Sequence, residues 1–96
     1  MDDERNDVEV LHDYRIETPA GRLVHVRVLD VPRSRQYPEG IKYRMHYGTL
    51  DGETILRYDN SHGVHERHEG GDVERITFPG LAELHARFRE EVTDRE

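Results

Sequence analysis

The feature that most constrains the fold of this chain is a period-two alternation of apolar and polar residues, which returns repeatedly up to residue 78. Such an alternation is typical of β-strands that turn one face toward a core and the other toward solvent. The sequences TPAG and DG separate neighbouring segments, and both are typical of tight turns between antiparallel strands. The pattern predicts five strands, at residues 8–16, 22–31, 41–47, 53–59 and 72–78.

The period of the apolar residues changes after residue 79. Leu81, Leu84, Phe88 and Val92 recur at intervals of three and four residues, which predicts a helix over residues 80–93. We therefore expect an α+β fold, in which a five-stranded, mainly antiparallel sheet within residues 8–78 carries one C-terminal helix packed on one face. Because one short helix covers only one face, the other face must meet solvent, a ligand or a partner.

Length and composition narrow the class of protein. Ninety-six residues are too few for two separate cores, so we expect a single domain over residues 1–96, with the acidic residues 1–7 disordered. The chain has no cysteine, which excludes disulfides and thiolate zinc sites. No run approaches the roughly 20 apolar residues that cross a bilayer. We therefore expect no membrane association and a cytoplasmic location.

The basic residues are few but regularly placed. Acidic residues number 21 against 14 basic ones, and only Lys42 is a lysine, a usage that resembles the acidic proteins of salt-loving archaea. The alternation puts basic side chains from every predicted strand opposite the apolar face, as in a surface that tracks phosphates. The same pattern also fits ordinary solvent-facing positions paired with nearby acids. This basic stripe comprises Arg15, His25, Arg27, Lys42, Arg44, His46, Arg57 and Arg75.

The segment RYDNSHGVHERHEGG contains three of the seven histidines of the chain. His62, His65 and His68 are three residues apart, a spacing that fits neither one face of a strand nor, among these glycines, a helix. A loop could still gather the three rings around a metal, with Asp59 or Glu66 as a fourth ligand. Since the spacing matches no known zinc-finger or metalloprotease pattern, we expect neither a metal nor another cofactor.

Acid–base chemistry places fewer demands on the geometry of this segment. A metal-independent ribonuclease needs a base for the ribose 2′-hydroxyl, an acid for the leaving 5′-oxygen, and a cation for the charged transition state. Histidine suits both proton transfers, and arginine can stabilise the charged transition state. The alternative without chemistry is that the segment is a solvent-exposed hairpin. The candidate catalytic residues are His65 and His68 for proton transfer, Arg57 and Arg67 for charge, and Tyr58 and Asp59 for orienting an imidazole.

The ordered set YRMHY, a DG turn, ILRYDNSHG, HERH and FPGLAELHARFREEV resembles the TumE family of toxin–antitoxin toxins, from Ile41 to Val92. The resemblance implies a growth-inhibiting toxin that is neutralised by an antitoxin encoded beside it, which in archaeal relatives looks like a helix-turn-helix DNA-binding protein. Relatives often have adjacent histidines after the DN pair, whereas this chain spaces them singly. The family motif corresponds here to Arg57, Tyr58, Asp59, Asn60, His62, His65 and His68.

The sequence therefore predicts a toxin that acts on RNA as a metal-independent endoribonuclease. Two alternatives stay open at this point: a non-catalytic binding module that partners a helix-turn-helix regulator, and a histidine-ligated metal protein. The residues expected to bind the RNA substrate are Arg27, Arg44, His46, His62 and Arg75.

Overall fold

The computed structural model describes residues 8–96, so the expected disorder of residues 1–7 lies outside the described part of the chain. These residues form one antiparallel sheet whose spatial order follows the chain order, with a helix after the last strand. The elements are β1 (Glu9–Glu17), β2 (Arg22–Asp30), β3 (Ile41–Thr49), β4 (Thr54–Asp59), β5 (Glu66–Glu69), β6 (Asp72–Arg75) and α1 (Leu81–Arg95).

The α+β class and the single C-terminal helix are confirmed, but the sheet has six strands instead of five. The additional strand is β5, which lies in the histidine segment, where the sequence pattern predicts no regular element. It pairs with β4 on one side and β6 on the other. The tight β5–β6 turn is made by Gly70 and Gly71, whose φ angles of 57° and 99° are readily adopted only by glycine.

The core lies between the sheet and α1. Its fully buried side chains include the three tyrosines Tyr43, Tyr47 and Tyr58, as the alternation predicted. From the helix, Leu84 and Phe88 are completely buried against them. Each such side chain contributes on the order of 1.5–3 kcal/mol through burial. We call this covered side of the sheet the helix face and the opposite side the open face.

One glycine is required by the packing of the sheet. The β3–β4 register shifts between Tyr47 and Gly48, and a Cβ atom at Gly48 would lie 2.0 Å from the carbonyl oxygen of Glu53. Since that oxygen also accepts a hydrogen bond from the Thr49 amide at 2.9 Å, the backbone there cannot simply move aside. Gly48 therefore fixes where β4 joins β3, and with it the register of the open face.

Candidate active site on the open face

Strand pairing lines up the polar side chains of the open face in two rows across the sheet. Residues directly opposite in antiparallel strands share a face and lie close together. The predicted basic stripe is therefore present on one side of the sheet, although acids interrupt it. One row is Arg15, His25, His46, Arg57 and His68, and the other is Asp13, Arg27, Arg44, Asp59, Glu66 and Arg75.

The acid at the β1 end of the second row neutralises part of the stripe. Asp13 accepts a hydrogen bond from Arg27 at 2.9 Å and lies 3.6 Å from the His25 ring. In contrast, Lys42 and Arg44 are exposed and make no ion pair with any other residue in 8–96. The centre of the open face thus carries two cations that are available to an anionic ligand.

Four side chains meet where β4 pairs with β5. The Nε of Arg57 donates to Asp59 Oδ2 at 2.8 Å. The Nε2 of His68 lies 3.4 Å from the same oxygen and 3.3 Å from Oε1 of Glu66. The terminal guanidinium nitrogen of Arg57 is 3.3 Å and 3.2 Å from the two ring nitrogens of His68, so it contacts the imidazole between them. We call these four residues the Arg57–His68 cluster.

The RYDN sequence explains how this cluster is held. Asp59, the last residue of β4, is 3 % exposed and accepts a hydrogen bond from the Ser61 amide at 3.2 Å. Asn60 is buried and bonds the neighbouring strand, accepting from the Tyr43 amide at 2.9 Å and donating to the Ile41 carbonyl at 2.8 Å. The amide side chain thus extends the sheet beyond β4. Arg57 and Asp59 face the open side, while Tyr58 faces the core.

An open depression of about 280 Å³ lies beside the cluster, where Arg44 is the β3 partner of Asp59. Its basic lining and its position next to a histidine make it suitable for a phosphate group that approaches His68. The depression is lined by Arg27, Leu29, Lys42, Tyr43, Arg44 and Ser61.

His65 does not join this cluster. It lies three residues before His68, and it contacts the helix face, where its Nδ1 is 2.8 Å from the Tyr43 hydroxyl. Its ring stacks on Phe78 with centroids 4.6 Å apart, and its Nε2 is 3.3 Å from Glu39. Both ring nitrogens thus have polar partners, Tyr43 and Glu39. The structure therefore does not bring together the two histidines that the sequence analysis paired as acid and base.

Arg67 and Tyr58 also lie on the helix face, because they are direct partners in the β4–β5 pairing. All the guanidinium nitrogens of Arg67 contact carboxylates, of Glu91 on α1 and of Glu69 and Glu74. The Tyr58 hydroxyl also donates to Glu91. These contacts attach α1 to β5 and hold the Arg67 guanidinium among carboxylates on the helix face, away from a phosphate on the open face.

The titration of this group fits a structural role. Burial and the acceptor Glu91 raise the pKa of Tyr58 to about 12. Burial alone would raise the pKa of Glu91, but hydrogen bonds from Arg67 and Tyr58 keep that pKa below its ordinary value. Glu91 is therefore ionised and Tyr58 neutral at physiological pH, as expected of a stable ion-pair network.

His46 lies beside Arg57 in the first row but is only 6 % exposed. Its Nε2 is 3.1 Å from the Thr54 hydroxyl. Burial and the neighbouring cations Arg44 and Arg57 lower its pKa, so it is neutral near pH 7. His46 supports the floor of the open face and offers little surface to a substrate.

The remaining candidates are more dispersed. His62 is exposed in the turn after β4, and Arg75 ends β6 opposite Glu66. The three histidines of the segment therefore do not surround one point. Among residues 8–96, the group with metal-ligand geometry is Asp59, Glu66 and His68.

Sequence reasoning assigned Glu66 only a fourth-ligand role and did not place it beside His68. The sequence could have indicated this position. If residues 66–69 pair with β4 as an antiparallel strand, residues 66 and 68 lie on the same face as residues 59 and 57. That inference required recognising β5 as a strand.

The fold and this site define a small α+β protein with one covered sheet face and one open face that carries arginines and histidines. The family model described as Toxin TumE matches residues 2–96. The chain therefore belongs to the TumE toxin family, which implies a toxin with an antitoxin partner. No curated protein and no solved structure matches the chain. No helix within residues 8–96 is long and apolar enough to cross a membrane.

Proposed function

We propose that this toxin is a metal-independent endoribonuclease that acts on cytoplasmic RNA through its open face. The observation that carries the proposal is the Arg57–His68 cluster. It places an imidazole in contact with a guanidinium, at 3.2 Å, beside a depression lined by the basic side chains of Arg27, Lys42 and Arg44. A proton-transfer group, a charge stabiliser and a phosphate-binding surface are the parts that RNA cleavage needs.

His68 is the proposed proton-transfer group. The carboxylates of Asp59 and Glu66 face its Nε2, and they favour the tautomer that carries a proton there. The lone pair then lies on Nδ1, which accepts the proton of the ribose 2′-hydroxyl. The 2′-oxygen bonds to phosphorus, the bond from phosphorus to the 5′-oxygen breaks, and that oxygen takes a proton from water. The products are a 2′,3′-cyclic phosphate and a 5′-hydroxyl.

Arg57 and Asp59 support this step in different ways. The guanidinium adjoins the His68 ring and is the nearest cation to a phosphate there, so it stabilises the charge that develops on the phosphoryl oxygens. Asp59 fixes the guanidinium through its 2.8 Å hydrogen bond. Within this proposal Arg44 and Arg27 hold neighbouring phosphates, and Arg75 and His62 contact the strand further away.

The proposal leaves the residues of the helix face outside the chemistry. His65, Arg67 and Tyr58 are engaged with Tyr43, Glu91 and Glu39 on the covered side of the sheet. We also propose that the antitoxin is a helix-turn-helix DNA-binding protein and that the toxin works without a membrane.

Expression in cells that lack the antitoxin tests the proposal. We expect the wild-type chain and His65→Gln to arrest growth with loss of cellular RNA, and His68→Gln and Arg57→Gln to permit growth at equal protein levels. His65→Gln is the matched control, because it removes an imidazole from the same hairpin on the opposite face. Growth arrest by His68→Gln equal to that of the wild type would overturn the assignment.

A non-catalytic binding protein is the second candidate, and β1 favours it. This edge strand is nine residues long and exposes Val10, Leu11 and Ile16, so another chain could pair with it. If growth arrest requires β1 but neither His68 nor Arg57, binding is the function.

A further inference from the structure

The carboxylates around His68 also have the arrangement of a cation site. One ligand atom from each of Asp59, Glu66 and His68 lies within 4.8 Å of the other two. The Nε2 of His68 is 3.4 Å from one carboxylate and 3.3 Å from the other. A single imidazole nitrogen carries at most one proton, so it cannot donate a hydrogen bond to both. A metal ion would satisfy all three groups at once.

The spacing of these atoms fits a tetrahedral metal ion. Zinc binds nitrogen and carboxylate ligands at about 2.0–2.2 Å, which places neighbouring ligand atoms roughly 3.3–3.6 Å apart. Both distances from His68 Nε2 match this separation, and the ligand atoms of all three residues lie within 4.8 Å of one another. An imidazole with two carboxylates suits zinc and similar transition metals, whereas magnesium prefers oxygen ligands and keeps much of its water.

We propose that Asp59, Glu66 and His68 bind a divalent transition metal such as zinc, and that the bound metal inhibits the toxin. The inhibition rests on the proposed RNA cleavage, whereas the metal site does not. A neutral imidazole bound to zinc through Nε2 carries its proton on Nδ1. That nitrogen then has no lone pair for the 2′-hydroxyl, so the metal removes the proposed base.

Arg57 competes with the metal for Asp59. Its guanidinium occupies Asp59 Oδ2 at 2.8 Å, the same oxygen that faces His68. A metal that binds this oxygen displaces the guanidinium, which also removes the charge stabiliser from its position. Conversely, removing the positive charge of Arg57 strengthens metal binding, because a cation next to a divalent cation is repelled.

Calorimetric titration of the full-length, tag-free chain with zinc chloride tests the site, and the visible spectrum of added cobalt(II) reports its coordination. We expect one zinc per chain with the wild type, binding weaker by about tenfold or more with Glu66→Gln, and tighter binding with Arg57→Gln. Glu74→Gln is the matched control, because Glu74 lies on β6, where it contacts Arg67 of the helix face. It should bind zinc like the wild type. Magnesium chloride should not compete.

RNA cleavage provides the second readout. We expect stoichiometric zinc to inhibit the wild type and Glu74→Gln alike, and chelator to restore both. For Glu66→Gln, half-inhibition of whatever rate it keeps in chelator should need about tenfold more zinc or more. Absence of saturable zinc binding, or equal binding by Glu66→Gln, would overturn the site. Cleavage that is unchanged or increased by zinc would overturn the inhibition. A chain that binds zinc but never cleaves RNA keeps the site and contradicts the proposed function.

Discussion

At the scale of single residues, the face of the sheet decides what each arginine does. Arg67 contacts Glu69, Glu74 and Glu91 beside the core, and its side chain is 17 % exposed. Arg44 is exposed on the open face and makes no ion pair within residues 8–96. The two side chains are chemically identical and lie on neighbouring parts of one sheet, so they form a matched pair for substitution.

We predict that Arg67→Met lowers the free energy of unfolding by about 1–3 kcal/mol, because the partly buried Glu91 carboxylate loses its closer cation and keeps only Arg95, at 3.5 Å. Arg44→Met should change it by less than about 0.5 kcal/mol, as is usual for an exposed, unpaired side chain. Urea denaturation of both variants measures the difference. Equal losses would show that Arg67 does not attach the helix.

The buried His46 gives stability a defined pH dependence. Its pKa is lowered by burial and by Arg44 and Arg57, so the unfolded chain binds a proton more readily than the folded one. Stability is then fully present above the unfolded value of 6.5 and falls as the pH drops through it toward the lower folded pKa. His85, whose pKa burial also lowers, contributes in the same direction.

We predict that the midpoint temperature of unfolding falls as the pH is lowered from about 7 to 5. In His46→Gln this midpoint should depend less on pH. Thermal unfolding at several pH values measures it. The part of the pH dependence that comes from His85 should remain in His46→Gln. It should disappear in the double variant His46→Gln, His85→Gln. The Glu91 carboxylate, whose pKa is lowered, affects only the range below about 4.5. If the unfolding midpoint of His46→Gln changes with pH as steeply as that of the wild type, His46 is not a source of the pH dependence.

At the scale of elements, the register of β4 on β3 aligns the open face. Gly48→Ala places a methyl group against the Glu53 carbonyl, so we predict a loss of about 1–3 kcal/mol or more. Gly21→Ala is the control, because a Cβ there meets nothing within 4 Å and only its φ of 79° opposes alanine, at about 1 kcal/mol. Urea denaturation should show the larger loss for Gly48→Ala. Equal losses would mean that the β3–β4 junction can relax.

The alternation of apolar residues predicted most of these elements, because it is strong wherever one face of a strand is buried. It identified the core tyrosines, the basic stripe and the helix with its Leu84 and Phe88. It failed at β5, whose four residues ERHE contain no apolar side chain and therefore carry no alternation. That strand is held by pairing and by the Arg67–Glu91 contacts, which join residues 24 positions apart.

The misassigned site residues follow from the same cause. His65 and His68 are three positions apart, so an extended chain places them on opposite faces, whereas a loop could bring them together. Once β5 is a strand, its parity separates His65 and Arg67 from His68. The contacts of Asp59 with both Arg57 and His68 depend on pairing geometry, which a single sequence does not specify.

At the scale of the whole molecule, an acidic chain of net charge −7 presents Arg27, Lys42 and Arg44 beside the Arg57–His68 cluster on the uncovered side of its sheet. Membership of the TumE toxin family supplies the biological role. The open face is the surface on which we propose that RNA is cleaved. On the helix face, His65 and Arg67 contact neighbouring side chains and stabilise the fold. The open face therefore carries the proposed function, and the helix face provides stability.

Cleavage of a defined RNA by purified protein in chelator tests this central claim most directly. We expect the wild type and His65→Gln to release fragments ending in a 2′,3′-cyclic phosphate. We expect His68→Gln to cleave more slowly by about 10²–10⁴-fold while remaining folded by circular dichroism. Cleavage by folded His68→Gln at the wild-type rate, or loss of cleavage in folded His65→Gln alone, would contradict it.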